Sequence, residues 1–183
     1  MLLFRHPHFN AGKLSVVALA LLVSTLLSAC SYSPLYGQRA GSRFTVEQNL
    51  ALIHIHSIKD RIGQQLHNNL LARLNIKGQP ANPLYELEVT LKESHSNLGV
   101  KKSAVVTRGN LKVSATFTLS QVASGIESST LITTIVSTIS SYDIPQAHYS
   151  ALAALKDARA RAIREIANSI RTRLGIYFRQ RLQ

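Results

Sequence analysis

The sequence holds a single cysteine, Cys30, among its 183 residues, which excludes an intrachain disulfide and any metal site built from several cysteines. Acidic residues are also scarce, 9 Asp and Glu against 21 Lys and Arg, leaving a formal charge of +12. Charged residues make up only 16% of the chain and 45% of it is hydrophobic, so wholesale disorder is excluded and one ordinary domain with a real core is expected. Gly-x-Ser-x-Gly elbows, glycine-rich phosphate loops and His-Glu-x-x-His helices are missing. No catalytic constellation, no cofactor and no metal centre is therefore expected, and the chain does not read as an enzyme. The apolar run from Leu14 to Leu27 has 14 residues, short of the ~20 that a membrane-spanning helix requires.

That run is the apolar region of a targeting segment. Arg5, His6, His8 and Lys13 precede it without an acid, and Leu27, Ser28, Ala29 and Cys30 close it. Basic start, apolar stretch and small residues match a secretory signal. The final four residues have the order of a bacterial lipobox, a large aliphatic, two small residues and the cysteine that is acylated and becomes the new N-terminus. Residues 1–29 are expected to be a lipoprotein signal peptide, and Cys30 the lipidated residue. A plain signal peptide with a chance cysteine is the ordinary alternative. Two or more acyl chains anchor a protein stably without spanning the bilayer. Ser31 follows the cysteine, where an Asp would favour retention at the inner membrane. The expectation is thus a lipid anchor in the outer membrane, on its periplasmic side.

Residues 30–49 read as anchor and tether, with Pro34, Gly37 and Gly41 and no apolar period. Residues 50–183 read as one domain. Ile53 and Ile55 alternate with His54 and His56 as a short half-buried strand. Ser57 and Asp60 resemble a capping box, and Ile62, Leu66, Leu70 and Leu74 follow at helical spacing until Gly78, Pro80 and Pro83. Tyr85, Leu87, Val89 and Leu91 alternate with polar residues, as do Leu111, Val113, Ala115, Phe117 and Leu119. A third run, Leu131 to Tyr142, is rich in Thr, Ile and Val. After Pro145 a stripe of Leu152, Leu155, Ala162, Ile166, Ile170, Leu174 and Tyr177 predicts a helix of roughly 28 residues broken near Gly175. The predicted fold is α+β, in the order β-α-β-β-β-α. A four-stranded, mostly antiparallel sheet carries two amphipathic helices on one face.

Cys30-Ser31-Tyr32-Ser33-Pro34-Leu35-Tyr36-Gly37 resembles the mature start of LPS-assembly lipoproteins of the LptE family, alphaproteobacterial type. The resemblance continues through Ile58 to Leu70, Tyr85 to Leu91, Ser141-Tyr142-Asp143, and Asp157-Ala158 with Arg161-Ala162. Ser31 and Tyr32 depart from the expected Gly and Phe. The resemblance implies a sheet of four strands with two helices, seated as a plug inside the outer-membrane β-barrel LptD. It implies that the pair delivers lipopolysaccharide to the outer leaflet. The alternative is an auxiliary lipoprotein of a lipid or solute transport system. A periplasmic hydrolase would need a nucleophile beside a His, and none stands at the required spacing.

Lys101, Lys102, Arg108 and Lys112 are the lipopolysaccharide-binding candidates. By parity Arg108 and Lys112 share the solvent face of one strand, ~13 Å apart, so each can meet a phosphate, Arg by a bidentate fork and Lys as a point charge. The ordinary alternative pairs Lys112 with Glu88 or Glu86 and Arg108 with Glu93. His54 and His56 lie on one strand face without a third ligand, which reads as a solvated surface. Asp157 and Glu165 read as ion-pair partners of neighbouring Arg on the last helix.

The positive charge is unevenly spread. Residues 84–150 are neutral, whereas 151–183 carry +6 and 30–83 carry +4. A basic charge usually points to nucleic acid. Behind a signal peptide no nucleic acid is met, and the expected partners are the barrel, lipopolysaccharide and the membrane that holds the acyl anchor.

Overall fold

In the computed structural model, which describes residues 45–100, 106–122 and 129–181, the alternating segments pair into one sheet. β1 is Ile53–Ile55, β2 Tyr85–Val100, β3 Val106–Gln121 and β4 Ser129–Asp143, in the spatial order β1-β2-β3-β4. β1 runs parallel to β2, with Ile53 opposite Tyr85, and the other two pairings are antiparallel. The parallel pair needs a crossover, and the helix α2, Asp60–Leu74, lies in it. The long helix α3, His148–Arg181, follows the meander. The sheet is mixed but mostly antiparallel, and the α+β class expected from the sequence is the one observed.

Period 2 on β3 fixes which face is buried. Leu111, Val113, Ala115, Phe117 and Leu119 are each 0% exposed. Their register partners on β2, Leu87 and Val89, join them beneath the helices, as does Val136 of β4. Leu66, Leu70 and Leu74 from α2 and Ala162, Ile163, Ile166, Ile170 and Leu174 from α3 complete the core. The ring of Phe178 lies 4.9 Å from that of Tyr85, closing the core at the start of β2.

Four details differ from the sequence reading. First, residues 46–49, expected to close the tether, belong to a helix, α1, Val46–Ala51, and the rest of the expected tether before Thr45 lies outside the described residues. Thr45 Oγ1 accepts from the Gln48 N–H at 3.3 Å and Gln48 Oε1 accepts from the Thr45 N–H at 2.8 Å, a closed capping box. Val46 and Leu50, one turn apart, enter the core. Six residues are too few to display a period. Second, Ser57 does not cap α2. Lys59 stands at the N-cap without a side-chain bond, and Asp60 adopts φ 69, a left-handed conformation that Asp tolerates better than most residues. Third, α3 does not break at Gly175 but runs on to Arg181, 34 residues in all. A helical glycine costs only ~1 kcal/mol, and Leu174 and Phe178 continue the buried stripe across it. Fourth, at the other end of that stripe Leu152 is 54% exposed and lies outside the core.

Candidate binding surface

The face of the sheet turned away from the helices consists of the even-numbered residues of β2 and β3 and the odd-numbered residues of β4. Register places Thr90, Thr116 and Ile135 in one row, Lys92, Ser114 and Ser137 in the next, and Ser94, Lys112 and Ile139 in a third. Small hydroxyl side chains dominate, and they bond one another. Thr118 Oγ1 lies 3.2 Å from Thr133 Oγ1, and Ser141 Oγ donates to Asn110 Oδ1 at 2.7 Å. The result is a broad polar surface of low charge density.

Arg108 and Lys112 project from this face as expected, and both are exposed. The ordinary pairings considered for them do not form. Glu93 is opposite Val113, so it faces the helices while Arg108 faces away. There it accepts from Arg159 Nε at 2.7 Å and lies 3.3 Å from His95 Nε2. Glu86 and Glu88 are opposite Ser120 and Thr118, whereas Lys112 is opposite Ser94, about 26 and 20 Å away along the strand at 3.3 Å per residue. Arg108 instead meets Asp143 of β4, Nε to Oδ1 3.7 Å, with the Arg side chain 61% exposed. So open a pair contributes at most ~1 kcal/mol. Its guanidinium is therefore held only loosely by Asp143. Lys101, Lys102 and the lipidation candidate Cys30 lie outside the described residues.

The remaining polar candidates take ordinary roles. The rings of His54 and His56 meet edge to face at 5.2 Å, and His56 Nε2 lies 3.4 Å from Glu86. Among the described residues no group of three metal-ligating side chains comes together. Asp157 pairs with Arg161, one turn on.

Residue order alone does not announce Ile135 and Ile139, which are 66% and 60% exposed on the outer face. In Ile132-Thr133-Thr134-Ile135-Val136-Ser137-Thr138-Ile139 both parities hold apolar residues, so alternation alone cannot assign a buried side. The neighbouring strand decides it, because Ala115, opposite Val136, is buried.

No protein-family model matches the chain, and no curated protein matches it. Among solved structures, the fold is similar to that of a protein from Caulobacter crescentus described as a lipoprotein. The two share 22% identity at a TM-score of 0.58, covering 72% of this chain and 94% of that one. The rare lipoprotein B from Shewanella oneidensis is 13% identical at a TM-score of 0.48, over 64% of this chain and 89% of that chain. The fold is therefore one that the Caulobacter crescentus protein also adopts.

Proposed function

We propose that the protein is an outer-membrane lipoprotein subunit of the lipopolysaccharide transport and assembly translocon, resembling LptE. In this reading it plugs the LptD barrel, assists the barrel's assembly and contacts lipopolysaccharide on its way to the outer leaflet. The observation that carries the reading is the lipobox ending at Cys30, joined to a domain whose fold recurs across 94% of a Caulobacter lipoprotein. The surface chemistry is in keeping with it. A lumen plug must be stable on its helix side and present a polar outer face to water, loops and headgroups, and the hydroxyl-rich sheet face does so. The basic helix layer suits an acidic lumen or lipid phosphates. Arg108 and Lys112 would contact lipopolysaccharide phosphates, with Lys101 and Lys102 beside them in sequence.

Purification of the lipidated protein from outer-membrane extracts tests this. A stoichiometric β-barrel partner is the expected result, lost from the outer membrane when Cys30→Ala prevents anchoring. Recovery with inner-membrane transporter subunits instead would replace this reading by that of an auxiliary transport lipoprotein.

A further inference from the structure

β4 is a terminal strand of the sheet, and among the described residues nothing pairs with its outer edge. Which groups it offers follows from the ladder. The Ile144 N–H donates to Thr107 O at 2.9 Å, and antiparallel pairs alternate between bonded and unbonded positions. Even-numbered residues from Ile132 to Tyr142 therefore bond β3, and odd-numbered ones from Thr133 to Asp143 turn their N–H and C=O outward. Arg161 confirms the phase, since its guanidinium donates to the Ser141 carbonyl at 3.0 Å. That contact covers one end of the edge and leaves Thr133, Ile135, Ser137 and Ile139 open.

Exposed edges are normally protected by charge, proline or a bulge. From Ser129 to Tyr142 this strand has no charged residue and no proline, and its register shift lies at Leu119/Ser120, beyond the open stretch. Two of the four open residues are exposed isoleucines. Alongside them a groove of about 410 Å³ is lined by Ile135 and Ser137 from the strand and by Glu165, Thr172 and Arg173 from α3. Arg173 has no ion pair among the described residues.

We infer that the Thr133–Ile139 edge accepts an extended strand of another protein, with apolar residues on the side that meets Ile135 and Ile139 and a carboxylate on the side that meets Arg173. Backbone bonding supplies affinity, and the alternating side chains supply selectivity. Charge argues against a second copy as the occupant. Pairing β4 with itself would bring two α3 helices together, and residues 151–183 carry +6 in each. The inference rests on the reading of this chain as a partner protein and adds the surface through which a partner's strand joins it.

A photoreactive residue at Ile139, with a control at Glu88 on β2, tests it in the full lipidated chain purified from membranes. The expected crosslink is to a segment of another protein with alternating apolar and polar residues that include a carboxylate. Ser137→Pro removes one outward donor without touching the β3 ladder, and proline is tolerated at such edge positions. It should lower the crosslink yield roughly tenfold while melting is unchanged, whereas Ser137→Ala should lower neither. If Ser137→Pro fails to fold, Ile135→Lys, which keeps the backbone, should give the same loss. A crosslink to a second copy, or equal yields from Ser137→Pro and Ser137→Ala, overturns the assignment. A barrel that co-purifies while position 139 crosslinks no strand overturns the edge alone. A suitable strand from a protein that is not a barrel keeps the edge and overturns the barrel reading.

Discussion

The two faces of β3 use the same backbone for opposite purposes. Every residue turned toward the helices from Leu111 to Leu119 is fully buried, and every one turned away is Lys, Ser or Thr. Folding free energy is concentrated on one side, so the other is free to vary without unfolding the domain. The same division sets α3, whose buried stripe holds the sheet, against the outer hydroxyl surface, where the described contacts are solvent-exposed polar pairs. Buried and solvent-facing positions are thereby separated by one residue of register, and substitutions one position apart should have very different effects on stability.

The largest effect is expected at Phe117, 0% exposed at the centre of the inner face. Phe117→Ala removes a ring and leaves a cavity, which costs ~3–5 kcal/mol. Denaturant unfolding should show it directly. Thr116→Ala or Thr118→Ala, its neighbours on the outer face, should change stability by less than ~0.5 kcal/mol. Comparable losses at 117 and 118 would break the division.

A smaller cost is expected where the inner layer approaches α2. A Cβ at Gly63 would lie 2.7 Å from Ile58 Cγ2 and 3.0 Å from the Ile58 carbonyl carbon. The backbone part of that clash cannot be relieved by a rotamer change. Gly63→Ala gains ~1 kcal/mol of helix propensity against an overpacking cost of about 1–3 kcal/mol, so a net loss near ~1 kcal/mol is expected. A stabilised variant would show that the loop before α2 gives way.

The inner face also contains a polar region, and Glu93 probes it. Glu93→Gln keeps the shape but weakens the charge-assisted bond from Arg159 at 2.7 Å. Both side chains are partly solvated, so the loss should be ~0.5–1 kcal/mol, and salt should reduce the difference between the two proteins.

Most of this architecture could be read from residue order, because β2 as far as Leu91 and β3 from Leu111 to Leu119 alternate cleanly and Leu66, Leu70 and Leu74 keep a helical period. What could not be read has identifiable causes. Thr45 and Gln48 make a helix too short for a period to register. Gly175 looks like a stop, but the side chains before and after it are buried, so packing outweighs propensity. β4 is apolar on both parities, and only its pairing with Ala115 and Phe117 fixes which side faces water. The candidate cations show the same limit. Strand parity placed Arg108 and Lys112 on the solvent face, yet it took the β3–β4 register to reveal that Asp143, distant in sequence, is the carboxylate Arg108 meets.

A stability effect no larger than that of Glu93→Gln, and the sharpest use of the division, is expected at those two cations. Arg108→Asp with Lys112→Asp changes only exposed side chains and breaks one ion pair worth at most ~1 kcal/mol, so unfolding should shift by ~1 kcal/mol or less. Binding should behave differently. Two phosphate contacts each lose a charge-assisted donor and gain a repelling carboxylate, so affinity for lipopolysaccharide vesicles should fall at least about tenfold, and more steeply at low ionic strength. The uncharged pair Arg108→Gln with Lys112→Gln should lie between the two. Sedimentation with lipopolysaccharide vesicles checks this, with vesicles of zwitterionic lipid as the reference. If the Asp pair binds as the unmodified protein does, the outer face is not where phosphate is met, and the basic surface of α3 becomes the place to look. If it unfolds, the outer face contributes to stability after all, and the separation between the two sides of β3 does not hold.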